Sequence, residues 1–163
     1  MPRNVLFVKK HSDTRVTNAF KDAIHYLRKT YDDINIIVEE STAHELVPDF
    51  QDLISFRAEE KALLAEKTDF VIALGGDGSI LHVSSLFDQH AVPPVLSFSM
   101  GTLGFLLPYD VRAFPEAVND VFHSRFSLAL RKRLCMGLWD SRPEQCLWLP
   151  GENSCCLLYT SPS

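Results

Sequence analysis

Gly75-Gly76-Asp77-Gly78-Ser79 places one carboxylate inside a turn made almost wholly of glycine. A turn of this kind between a strand and a helix aims several backbone N–H groups at one concave spot, where a phosphate can sit. Asp77 is then fixed beside that phosphate. A hydroxyl is a poor nucleophile until its proton is taken or hydrogen-bonded, and a positioned carboxylate contributes on the order of 10²–10⁴ in rate. The chemistry these residues suit is transfer of a phosphoryl group to an alcohol. A second glycine loop, Met100-Gly101-Thr102-Leu103-Gly104-Phe105, holds two more of the chain's seven glycines, so five of the seven fall in two loops.

Each residue also has a plainer reading. Glycines make tight turns with or without a ligand. Asp77 would serve equally as a helix cap, and the two roles can coexist. Ser79 could do no more than cap the same helix. His82, one turn on, faces either the crevice or ordinary surface and packing. Lys9 and Lys10 follow the first strand, where a phosphate contact competes with a solvated lysine. Phe105 could stack on an adenine or sit in the core. Arg131 and Arg133 bracket Lys132 in a charge run, which is usually a solvated face. Familiar phosphate motifs do not apply: there is no GxxxxGK[ST], and GxGxxG fails because Leu81 stands where its last glycine is required.

The elements that must hold these loops read as alternating strands and helices. Residues 5–8 form an apolar run and a first strand. A helix capped from Ser12, Asp13 or Thr14 follows, with Val16, Ala19, Phe20, Ala23, Ile24 and Leu27 on one face. Residues 34–38, rich in isoleucine, read as a second strand. Residues 42–67 look helical but broken by Pro48, with 57–67 the better helix. The third strand is 68–74, its helix 79–87. Pro93-Pro94 introduces a fourth strand at 95–98. A helix started by Pro115 presents Phe114, Ala117, Val118, Val121 and Phe122. Residues 126–134 alternate like a strand. The pattern implies an α/β fold with a parallel sheet covered on both faces and right-handed crossovers. In such a sheet the carboxyl ends of the strands share one edge, where ligands bind, so the two glycine loops should face one crevice.

Composition narrows the class. With 163 residues, 46% hydrophobic and 23% charged, the chain can build one real core. A net charge of −5 gives no support for nucleic-acid or anionic-membrane binding. No apolar run approaches the roughly 20 residues that span a bilayer, and no secretory or mitochondrial targeting signal is visible, so the cytoplasm or the mitochondrial matrix is expected. All four cysteines and both tryptophans follow residue 134. No CxxC pair is present, so no metal site is expected from them, and the compartment reads as reducing. Near Cys135 periodicity fades. We expect a nucleotide-binding domain over 1–134, then 135–163 as the truncated start of a second domain with a non-native tail.

The stretch Phe70-Val-Ile-Ala-Leu-Gly-Gly-Asp-Gly-Ser-Ile-Leu-His82, followed by Pro93-Pro-Val-Leu-Ser-Phe98 and Met100-Gly-Thr-Leu-Gly-Phe-Leu-Leu-Pro108, resembles the NAD kinases. Leu130-Arg-Lys-Arg-Leu134 looks like that family's junction between domains. Phe7-Val-Lys-Lys10 and the 31–38 segment look most like its fungal mitochondrial NADH kinase branch. The resemblance covers about residues 4–134. It implies a Rossmann-like N-terminal domain and ATP-dependent phosphorylation of the adenosine ribose 2′-hydroxyl of NAD or NADH, giving NADP or NADPH. It implies that Asp77 acts on that hydroxyl, that a divalent metal such as Mg arrives with ATP, and that the protein is a homo-oligomer. The nucleotide-binding set expected from both arguments is Gly75, Gly76, Asp77, Gly78, Ser79, His82, Gly101, Thr102, Leu103, Gly104 and Phe105. Ser79 stands where threonine is usual. The family's β-rich lobe, with its Asn-Glu or Asn-Asp pair, has no match here: Glu152-Asn153 is reversed. The chain is therefore expected to be inactive alone. Rival readings are a phosphofructokinase-like or lipid kinase sharing the glycine–aspartate loop, and a nucleotide-binding module without catalysis.

Overall fold

Val5, Leu6, Phe7 and Val8 are all essentially without solvent contact, the signature of a strand covered on both faces. In the computed structural model, which describes residues 3–9, 13–87, 90–101, 104–133 and 154–159, they lie in β1 (Arg3–Lys9). The chain continues through α1 (Thr14–Thr30), β2 (Ile34–Glu39), α2 (Glu40–Leu46), β3 (Ile54–Phe56), α3 (Lys61–Lys67), β4 (Phe70–Gly75) and α4 (Asp77–Leu86). Then come β5 (Val92–Ser99), β6 (Tyr109–Asp110), α5 (Phe114–Phe122), β7 (Ser127–Lys132) and β8 (Ser154–Tyr159).

The strands form one sheet in the order β3-β2-β1-β4-β5-β8-β7, with β6 paired to β5. Every pairing is parallel except β7 with β8. Side chains alternate between the two faces, as the pleat requires. Val5, Phe7, Val38, Ile72, Leu74 and Phe98 pack with Phe20 and Ile24 of α1 and Phe114 and Val118 of α5. Leu6, Val8, Ile37, Val71 and Ala73 pack with Leu64 of α3 and Ile80, Val83 and Leu86 of α4. Lys9, Glu39, Gly75 and Ser99 end their strands on the same sheet edge, so the β4–α4 turn is flanked by the ends of β1 and β5.

Several local expectations need correction. Residues 42–67 are not one broken helix: α2 ends before Pro48, and the edge strand β3 and a single 3₁₀ turn at Ala58–Glu60 precede α3. With Ile54 and Ser55 exposed, β3 has no alternation to announce it. Pro93 and Pro94 do not precede β5 but lie inside it, beside a shift in its register with β8. A proline cannot donate to the ladder, and such an irregularity is where a strand tolerates one. Lys10, Thr102, Leu103 and residues 134–153 lie outside the described residues. Among those described, no helix is long and apolar enough to cross a membrane.

Candidate functional site

Gly75 ends β4 with φ of 152°, a backbone state that favours glycine. Gly76 then adopts an extended conformation, φ −126° and ψ −174°, and caps α4 with backbone alone. The Ser79 N–H donates to the Gly76 carbonyl at 2.8 Å, closing the first turn of the helix. A Cβ added at Gly76, Gly78 or Gly101 would meet nothing within 4 Å. The turn is thus both tight and open on its outer side, the form a backbone cradle for phosphate needs.

Asp77 is the first residue of α4, yet its carboxylate does not cap the helix. Oδ1 accepts the Leu106 N–H at 2.8 Å and Oδ2 the Phe105 N–H at 3.1 Å. The Met100 N–H also donates to the Gly75 carbonyl at 3.3 Å. The structure therefore brings the first glycine loop together with Met100 and the Gly104–Leu106 end of the second; Thr102 and Leu103, between them, are not described. Ser79 is buried, with its hydroxyl 3.5 Å from the Leu74 carbonyl, so it faces the sheet and not the crevice. Phe105 is 84% exposed, which removes the core reading. The Arg131 guanidinium lies 5.6 Å from its ring centroid.

On the far side of α4, His82 Nε2 lies 2.9 and 3.0 Å from the two carboxylate oxygens of Glu39, at the end of β2. The hydrogen bond to Glu39 raises the imidazole above its ordinary pKa; partial burial and nearby Lys61 act against it. Glu39 was missed as a partner because 43 residues separate the pair. Lys9 is neither solvated nor directed at a phosphate. Its side chain has no solvent exposure, and Nζ donates to Glu45 at 2.7 Å and to the Thr17 hydroxyl at 3.2 Å. Arg133 does not lie on a free solvated face: it donates to the Ser84 and His90 carbonyls at 2.9 and 2.8 Å. Among the described residues no group of three or more His, Cys, Asp or Glu side chains could hold a metal ion.

A family model described as the ATP-NAD kinase N-terminal domain matches residues 5–126. The mitochondrial NADH kinase of Schizosaccharomyces pombe is 44% identical over 133 residues, 82% of this chain and 33% of the relative. The mitochondrial NADH kinase of Saccharomyces cerevisiae is 34% identical over 140 residues, covering 81% of this chain and 34% of the relative. The chain thus spans about a third of the length of these curated relatives. A crystal structure of yeast NADH kinase complexed with NADH superposes with a TM-score of 0.70 at 27% identity, over 98% of this chain and 47% of that one. The parallel sheet, the glycine turn with its aspartate and these matches agree: the chain belongs to the ATP-NAD kinase family.

Proposed function

We propose that this chain carries the nucleotide site of a kinase that transfers phosphate from ATP to the adenosine ribose 2′-hydroxyl of NAD or NADH, giving NADP or NADPH. The observation that carries the reading is the meeting of Asp77 with the Phe105 and Leu106 backbone, which sets one carboxylate between two glycine loops. Asp77 takes the hydroxyl proton. The open backbone of Gly76 and Gly78 suits a phosphate, because a side chain there would occupy the space. Gly101, Thr102, Leu103 and Gly104 belong to the dinucleotide side in this reading, and Phe105, whose ring is exposed, stacks on a base. Mg arrives with ATP as part of the substrate and neutralises charge on the transferring phosphoryl group.

The same proposal extends to the whole protein. A second, β-rich unit following about residue 134 completes the site, the intact protein is a homo-oligomer, and the 163-residue chain turns over little by itself. Mitochondrial relatives favour the matrix over the cytoplasm. The test is direct. Titrating this chain with NADH by fluorescence, and with ATP–Mg by calorimetry, is expected to show binding, whereas fructose 6-phosphate and a lipid alcohol bind no better than buffer. Binding of neither nucleotide overturns the reading. A turnover assay matching a full-length homologue contradicts the expected inactivity alone.

A further inference from the structure

Gly104 has no room for a side chain, and the obstacle is Asp77. A Cβ at Gly104 would overlap Asp77 Oδ1 and sit 2.9 Å from Cγ and 3.1 Å from Leu107 Cδ1. Contacts under 3 Å require either the carboxylate or the Gly104 backbone to shift. Yet that carboxylate is held by two successive backbone amides, one on each oxygen. Two donors acting on both oxygens fix the plane of the group as well as its position. Each oxygen accepts one bond and keeps a further acceptor direction for a substrate hydroxyl. Both of these bonds run to the second glycine loop and not to the helix that Asp77 begins.

We propose that Gly104, with the Phe105 and Leu106 amides, is the positioning element of Asp77. It fixes the carboxylate plane before a nucleotide arrives. This rests on the reading of Asp77 as the group that takes the hydroxyl proton. A carboxylate oriented in advance needs no rearrangement when the hydroxyl docks, which is how preorganised groups lower barriers. The positioning role of Gly104 is exercised through Asp77 and is separate from its place on the dinucleotide side of the site.

A double-mutant cycle between Gly104→Ala and Asp77→Ala tests it on this chain, read by amide hydrogen exchange and NADH fluorescence. In the unsubstituted chain the Phe105 and Leu106 amides are expected to be protected without ligand, and Asp77→Ala removes that protection. Gly104→Ala speeds their exchange and weakens NADH binding by about tenfold each, the scale of one lost charge-assisted hydrogen bond. In the Asp77→Ala background the same methyl changes either by less than about twofold, since nothing remains to displace. A glycine that merely shapes its loop would instead give independent, multiplying effects, and that result overturns the proposal. So do unprotected amides in the unsubstituted chain, a measurement that needs no variant to fold. Protected, coupled amides in a chain that binds no NADH uphold the orientation of Asp77 while removing the nucleotide reading. Tight NADH binding with unprotected amides does the reverse.

Discussion

Replacing Glu45 should harm this protein more than replacing Lys9, although the two form one ion pair. Lys9 Nζ is buried and bonded to Glu45 Oε2 at 2.7 Å and to Thr17 Oγ1 at 3.2 Å, and Thr17 donates to Glu45 Oε1 at 2.8 Å. The Glu45 side chain is 42% exposed. Glu45→Ala leaves an ammonium at the end of β1 with only a hydroxyl for company. Stripping one partner from a fully buried pair costs about 3–5 kcal/mol. Here water can enter where Glu45 stood and the Thr17 bond survives, which lowers the expected cost to about 2 kcal/mol. Lys9→Met removes the charge, keeps a flexible apolar stem and leaves a partly exposed carboxylate still bonded to Thr17, so the expected cost is under about 1 kcal/mol. For a chain of this length each kcal/mol shifts the melting temperature by about 2–4 °C, giving a fall of about 4–8 °C for Glu45→Ala and under about 4 °C for Lys9→Met. Thermal melts followed by circular dichroism read both, and the double variant should melt above Glu45→Ala alone. If Lys9→Met proves the more damaging change, the ammonium has a partner this reasoning lacks, and the account of β1 is wrong.

Other expectations are equally specific. Gly78→Ala places a methyl in open space on a helix, so stability should hold or rise by up to about 1 kcal/mol while affinity for ATP or inorganic triphosphate falls; unchanged affinity would count against the cradle. The raised pKa of His82 means its pairing with Glu39 stabilises the fold below about pH 6.5, the unfolded value, and is lost as pH climbs through the higher folded one. The stability gap between the unsubstituted chain and Glu39→Gln should therefore shrink as pH rises from about 6.5 through the higher folded value, and stay under about 1 kcal/mol because the ring is over a third exposed. Urea melts across that range check it, and a gap that widens with pH contradicts the pairing. The Thr68 hydroxyl is buried without a hydrogen-bond partner, so Thr68→Val should leave stability level or raise it by about 1 kcal/mol. A clear loss in a thermal melt would show a bond that the structure does not contain.

What the sequence disclosed follows from where each signal resides. Strands β1, β2 and β4 and helices α1 and α5 were legible because apolar runs and helical periodicity are local properties. The turn at Gly75–Ser79 was legible because glycine content and flanking elements are local as well. Strand β3 escaped because two of its three residues are exposed and nothing in them alternates. Two-residue β6 escaped because it exists only through pairing with Phe98 and Ser99. The partners of the charged groups were illegible for the same reason: Asp77 finds its donors 28 and 29 residues away, and His82 its acceptor 43 residues away. Lys9 looked solvated because a buried lysine is rare, and nothing near it in sequence announces Glu45.

Helix α4 is restrained at three stations along its length. Asp77 secures its beginning to the Gly104–Leu106 strip, His82 ties its middle to the end of β2, and Arg133 clasps the Ser84 carbonyl near its finish. A rod pinned in this way has little freedom to slide or roll. If the proposed function holds, its leading amides are aimed before a polyphosphate arrives, and binding would spend little energy on ordering protein. The same helix thus carries the contact with Arg133 near one end and the Asp77 carboxylate at the other.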